Sequence, residues 1–180
     1  MYSISEYLQS IRRFDTIRVE MVCHGNICRS PIAAAILHNK SIEVLSPNFV
    51  VTSSGTSAYH QGESAHPLSQ KVWEAHGISY RHKSTPFSKQ SFLDTDVILV
   101  ADQTNRAMIL AAAKNMAEKS KVMMLREFDP ALSHIDPFGK DAGELAIPDP
   151  WGYEIDAFES VYQQIDQAID GLIQFFAKGR

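Results

Sequence analysis

Cysteine is almost absent: the 180-residue chain has two, Cys23 and Cys28, too few and too close together to staple a small secreted fold. That scarcity suits a reducing compartment, and a cytoplasmic location is expected. Nor is there an excess of basic charge. The 17 Lys and Arg against 21 Asp and Glu leave a formal net charge of -4, which argues against general nucleic-acid binding and confines any anion site to a local feature. Long apolar runs are missing as well. The apolar residues Tyr2, Ile4, Tyr7, Leu8, Ile11 and Phe14 are interrupted by Glu6, Gln9 and Ser10, unlike a signal peptide, and no stretch is long enough to insert in a membrane. With 44% hydrophobic and 21% charged residues, the composition is that of one globular domain without disorder.

The chain that remains alternates strand and helix patterns. Residues 3–14 space their apolar side chains as a helix does, predicting an added N-terminal helix within residues 1–16 that packs on the body. Strands are expected at residues 17–22, 49–52, 96–101 and 121–126. Helices are expected from Ser30, at 64–76 with Gly77 just past the end, from Asp102 or Thr104 to Ala113, and at 155–177, where nine apolar residues share one face. Residues 78–93 read as loop with one helical turn, and 127–153, with three Asp-Pro pairs, as a long connection. Such alternation argues for a parallel α/β sheet with helices on both faces and ligands at the carboxyl ends of strands.

One of those ends carries Val22-Cys23-His24-Gly25-Asn26-Ile27-Cys28-Arg29-Ser30-Pro31. Ser30 suits a cap and Pro31 the first helical position, so this is a strand, a tight loop and a helix N-terminus. A thiol held there beside an arginine ionises more readily than a free one. If the loop wraps, the backbone N–H groups of residues 24 to 29 converge into an anion nest, and the planar fork of Arg29 holds two phosphate oxygens. Gly25 allows the close turn, Asn26 tolerates a left-handed conformation, and Ser30 is placed to donate a hydrogen bond to the Cys23 sulfur. A metal site is disfavoured, since His24 and the cysteines lack a second ligand pair and Arg29 would repel the ion.

Attack on a phosphate ester also needs a proton donor. Asp129, Asp136 and Asp149 are each followed by proline, so the dipeptide alone does not choose among them. Asp129 follows the fourth strand as a turn former would, whereas Asp149 has proline on both sides and Trp151 and Tyr153 beside it.

The loop Cys23-His24-Gly25-Asn26-Ile27-Cys28-Arg29-Ser30-Pro31 resembles the signature of the low-molecular-weight protein tyrosine phosphatases. Ser54-Gly55-Thr56-Ser57-Ala58-Tyr59-His60, His76-Gly77-Ile78, residues 96–102 and Ile147-Pro148-Asp149-Pro150-Trp151-Gly152 recur in that family's order and approximate spacing. The resemblance covers about residues 17–177. It implies a single-domain three-layer sandwich with a four-stranded parallel sheet and a phosphate loop after the first strand, residues 17–180 forming the catalytic domain. It implies a two-step mechanism through a cysteinyl phosphate, no cofactor, and a phosphotyrosine protein as substrate, with a homodimer left open. By the same resemblance Asp149 is the acid, Ile27, Tyr59 and Trp151 are pocket walls, Ser53 and His76 support Asn26, and Cys28 pairs with Cys23 under oxidation. The chain departs from the family at Ala34, where an acidic residue is common, and at Trp151-Gly152-Tyr153, where animal members have paired tyrosines. The N-terminal helix and residues 134–144 look like additions.

Three rival readings carry distinct signatures. Thioredoxin-coupled arsenate reductases share the loop but need relay cysteines beyond Cys28, and the chain has none. Protein arginine phosphatases tend to carry threonine in place of Ile27. A phosphate-binding or redox-sensing module without turnover has no need of Cys23, Arg29, Ser30 and Asp149 together.

Overall fold

Four short runs, each containing valine, pair into one sheet in a computed structural model that describes residues 4–177. Strand β1 (Thr16–Cys23) lies between β2 (Asn48–Gly55) and β3 (Val97–Val100), and β4 (Val122–Met124) pairs with β3, giving the order β2-β1-β3-β4 with every pair parallel. The register sets Cys23 opposite Gly55 and Val22 opposite Val100, so three strands end together at the edge where Cys23 emerges.

The two-residue period of a strand sorts its side chains into two cores. Val19, Met21, Cys23, Val97, Leu99 and Met123 enter one apolar cluster, and Val22, Ile98, Val100, Val122 and Met124 the other. Helix α1 (Ile4–Ile11) adds Ile11 to the first cluster and packs Tyr7 and Leu8 against it. The Tyr7 hydroxyl donates to the Asp96 carbonyl at 2.7 Å. Helices α2 (Arg29–Ser41) and α3 (Pro67–Ala75) join the same cluster, while α4 (Ser91–Asp94) and α5 (Gln103–Ala112) supply Phe92 and Ile109 to the second. The short α6 (Met116–Lys119) leads into β4, and α7 (Ile155–Ala177) lays Phe158, Val161, Ile165, Ile169, Leu172 and Phe176 over the first core. Among the described residues no helix is long and apolar enough to cross a membrane.

Local chemistry explains where boundaries differ from the sequence reading. The helix expected at 64–76 starts at Pro67, because the His66 ring nitrogen accepts from the Leu68 N–H and Pro67 occupies the first helical position. The fourth strand ends at Met124 rather than Arg126. There the Glu127 carboxylate takes the Met124 N–H at 2.9 Å and the chain tightens into a 3-10 turn at Leu125–Phe128. The long connection also holds 3-10 turns at Pro130–Leu132 and Ala142–Leu145. Helix α7 crosses the Leu125–Phe128 turn at Gly171, where an added Cβ would stand 1.8 Å from the Phe128 carbonyl oxygen.

Candidate active site

Residues 23–29 run from the end of β1 to the start of α2, and six of their carbonyls in succession are taken by the surrounding protein. Cys23 O accepts from Thr56 N–H and His24 O from Ser57 N–H, both at 2.9 Å. Gly25 O accepts from the Ser84 hydroxyl at 3.1 Å, Asn26 O from His82 Nε2 at 2.7 Å and Ile27 O from His66 N–H at 2.8 Å. Cys28 O accepts from Ile32 N–H at 3.3 Å and from the Ser69 hydroxyl at 3.5 Å. In a planar trans peptide the N–H points opposite to the carbonyl of the preceding residue. With the carbonyls turned outward, the N–H groups of residues 24–29 face the inside of the loop. Among the described residues none of them donates to a protein acceptor.

Two features hold that shape. Asn26 has φ 54°, the only positive φ outside glycine among the described residues. Its side chain is fully committed: Nδ2 donates to Ser30 Oγ at 2.8 Å and Ser53 Oγ at 3.0 Å, and Oδ1 accepts from Thr85 N–H at 2.9 Å. Gly55, at the end of β2, lies so close to the loop that a Cβ would come within 2.7 Å of His24 O. The neutral His82 ring fits its task, since burial lowers its pKa and a carbonyl acceptor requires the proton on Nε2.

Ser30 Oγ lies 3.1 Å from Cys23 Sγ. Because it accepts from Asn26, its single proton is left for either the Cys23 sulfur or the Ser54 carbonyl, which is 3.4 Å away. Oxygen at 3.4 Å is a poor acceptor, whereas sulfur at 3.1 Å is well within reach. The Ser30 hydroxyl therefore aims at Cys23. Burial, then Cys23 and Asp149, push the Cys28 thiol up to about 12.

Arg29 is buried and bracketed by carboxylates. Nη1 donates to Asp102 Oδ2 at 2.7 Å and to Ile147 O at 3.1 Å, and Nη2 donates to Asp149 Oδ2 at 3.0 Å. Burial opposes its charge, yet Cys23, Asp149 and Asp102 outweigh that and make the guanidinium more basic than usual. Its Nε is buried and meets no partner among the described residues. Asp149, half exposed, also accepts the Trp151 N–H at 3.2 Å.

These groups open on a cavity of about 250 Å³ lined by Cys23, Ile27, Arg29, His60, Asp149 and Trp151, together with His24, Gly25 and Cys28. Tyr59, the expected wall, does not line the cavity: the residue is 84% exposed, and its neighbour His60 takes that place. The support of the loop differs from expectation as well. Ser53 meets Asn26 as expected, but His76 does not; its Nε2 lies 2.8 Å from Glu159 and its ring stacks on Tyr162. His82, from a stretch with no recognisable pattern, stands where His76 was expected. The other aspartates lie elsewhere. Asp129 is buried as the cap of Pro130–Leu132, and Asp136 turns its own loop by accepting the Phe138 N–H at 2.9 Å. Asp102, read from sequence only as a helix start, was the missed partner of Arg29. An acid at the carboxyl end of a parallel strand was the signal available for it.

The family model described as low molecular weight phosphotyrosine protein phosphatase matches residues 18–180. A low molecular weight protein-tyrosine-phosphatase of Streptomyces coelicolor is 31% identical over 159 residues, covering 88% of this chain and 92% of that protein. Among solved structures, a protein tyrosine phosphatase of Entamoeba histolytica superposes with a TM-score of 0.74 at 27% identity, covering 87% of this chain and 94% of that one. An arginine phosphatase of Geobacillus stearothermophilus superposes at 0.72 with 28% identity, covering 88% and 91%. Since the match runs from β1 through the whole of α7, the chain belongs to the low molecular weight phosphotyrosine protein phosphatase family.

Proposed function

We propose that the protein hydrolyses phosphotyrosine in protein substrates through a phosphocysteine formed on Cys23. The observation that carries this reading is the arrangement of residues 23–29, with six carbonyls bonded outward and the intervening N–H groups free beside a buried cysteine. Such a nest favours an anion, and the orphaned Nε of Arg29 gains an acceptor when a phosphoryl oxygen enters.

In the first step the Cys23 sulfur attacks phosphorus in line, the bond from phosphorus to the phenolic oxygen breaks, and Asp149 gives its proton to the departing phenolate. Asp149 then takes a proton from water, the water oxygen bonds to phosphorus, and the sulfur–phosphorus bond breaks to free phosphate. The Ser30 hydroxyl, aimed at Cys23, stabilises the sulfur both as nucleophile and as leaving group. Arg29 and the loop amides hold the equatorial oxygens throughout. Two unpaired cysteines suit a reducing compartment, and we place the reaction in the cytoplasm.

Resemblance to an arginine phosphatase supports a second reading, hydrolysis of phosphoarginine. The apolar wall at Ile27 favours an aromatic ring over a guanidinium. One experiment separates the possibilities: hydrolysis of a small aryl phosphate, a phosphotyrosyl peptide and a phosphoarginyl peptide by the wild type and by Cys23→Ser. Turnover of the first two that Cys23→Ser abolishes is expected. A wild-type rate no higher than that of Cys23→Ser on every substrate would rule out the enzyme, and preference for phosphoarginine would reverse the substrate assignment.

A further inference from the structure

A second cleft adjoins the first and the mechanism makes no use of it. It measures about 450 Å³ and lies between the acid loop and the first two turns of α7, lined by Pro148, Pro150, Tyr153, Ala157, Ser160 and Val161. Asp149 lines both cavities, so they meet at the acid loop. The turn that follows serves the two sides separately. Tyr153 N–H donates to Pro150 O at 3.0 Å and Gly152 sits at φ 85°, the conformation a type II turn demands at its third residue. On either side of that glycine, Trp151 borders the first cavity and Tyr153 the second. Both residues are largely exposed, at 63% and 68%.

We propose that this second cleft receives an apolar side chain two residues away from the phosphotyrosine in the same substrate segment. The inference rests on the phosphotyrosine reading and extends it to the sequence around the target. In an extended peptide, side chains two positions apart point to the same side and stand roughly 6–7 Å apart along the chain. A substrate whose phosphotyrosine enters between Ile27 and Trp151 thus turns its next same-side residue across the acid loop. The lining there is proline, alanine, valine and a tyrosine face, with one serine hydroxyl. The single charge is Asp149, whose oxygens are engaged by Arg29 and the Trp151 N–H. An uncharged leucine- or phenylalanine-sized group matches that surface.

The test compares phosphotyrosyl peptides carrying leucine or glycine two positions before or after the phosphotyrosine, with a small aryl phosphate as the substrate that cannot reach the cleft. Wild type is expected to favour leucine on one side by about tenfold in kcat/KM, the worth of a modest apolar pocket. Ala157→Phe, which fills the cleft, and Ser160→Glu, which charges its exposed edge, are expected to abolish that preference while the aryl phosphate rate is unchanged. If Ala157→Phe disturbs folding and lowers the aryl phosphate rate, Ser160→Glu decides. A wild type that turns over the aryl phosphate without preferring leucine overturns the inference and leaves the phosphatase reading intact. So does a preference that survives both variants. A change in oligomeric state on Ala157→Phe, with peptide preference unmoved, would assign the cleft to a second copy of the chain and overturn the inference too. A wild type inert toward the aryl phosphate removes the underlying reading itself.

Discussion

The two oxygens of Asp102 serve two parts of the fold: Oδ2 accepts from Arg29 Nη1 at 2.7 Å, and Oδ1 caps α5 by accepting the Asn105 N–H, also at 2.7 Å. The arginine that meets the anion is thereby fastened to the helix that follows β3. Asp102→Asn keeps a side-chain cap but loses the charged partner of Arg29, while Asp102→Ala loses both. Both variants are expected to lose about ten- to a hundredfold in kcat/KM toward an aryl phosphate. Only the alanine variant should also lose stability, by about 1 kcal/mol, in a denaturant titration. Unchanged kinetics in Asp102→Asn would show that Arg29 is positioned without it.

Asp149 and Asp136 are each followed by proline, and only Asp149 lines the cavity. Asp149→Asn should lower kcat by about 10²–10⁴-fold, with a greater loss as the leaving alcohol becomes more basic, whereas Asp136→Asn should match the wild type. Steady-state rates on a series of aryl phosphates check both. The reverse pattern would move the acid to Asp136.

His82 lends the loop a pH dependence. Burial holds its folded pKa below the ordinary histidine value, so folded and unfolded chains are both neutral above about pH 6.5 and the stabilisation is complete there. As pH falls below that value the unfolded chain takes up the proton first, and stability is lost until the folded pKa is passed. His66, also lowered by burial, acts with the same sign. His82→Gln keeps an N–H donor for Asn26 O without a titrating ring. Its Tm should fall less than that of the wild type between roughly pH 7.5 and pH 5.5. An equal fall in both would show that His82 contributes nothing to the slope.

Gly171 sits inside α7, where exchange for alanine ordinarily helps a helix by nearly 1 kcal/mol. Here the added methyl meets the Phe128 carbonyl at 1.8 Å, so the helix must move. Gly171→Ala is expected to destabilise by about 1–3 kcal/mol in a chemical denaturation curve. A variant as stable as wild type would mean that the turn before it yields easily.

Much of the molecule was legible in advance where a single residue type does one local job. The four strands, Gly77 at φ 77° behind α3 and the apolar face of α7 follow from periodicity and capping, whereas α2 opens at Arg29 with Cys28 as its N-cap instead of at Ser30-Pro31, because the Ser30 hydroxyl is taken by Cys23 and Asn26. The loop was readable because its residues combine a nucleophile, a left-handed asparagine and an arginine within one turn. Long-range partners were not. His82 and Ser84 hold loop carbonyls from a segment with neither helical nor strand periodicity, so nothing local marks them. His76 was misplaced because its closeness to Asn26 rested on resemblance alone, and in the fold its ring prefers the flat face of Tyr162 and the Glu159 carboxylate.

The outward bonds of the loop also bear on its portability. Six of the seven donors to its carbonyls belong to residues 56–84, outside the nine-residue signature. A peptide or a graft carrying the signature alone brings the amides but not the groups that keep the carbonyls turned away. Its peptide planes are then free to rotate, setting carbonyl dipoles against the anion. Transplanting the site to another strand-and-helix scaffold therefore means moving the segment from Thr56 to Ser84 along with the cysteine and the arginine.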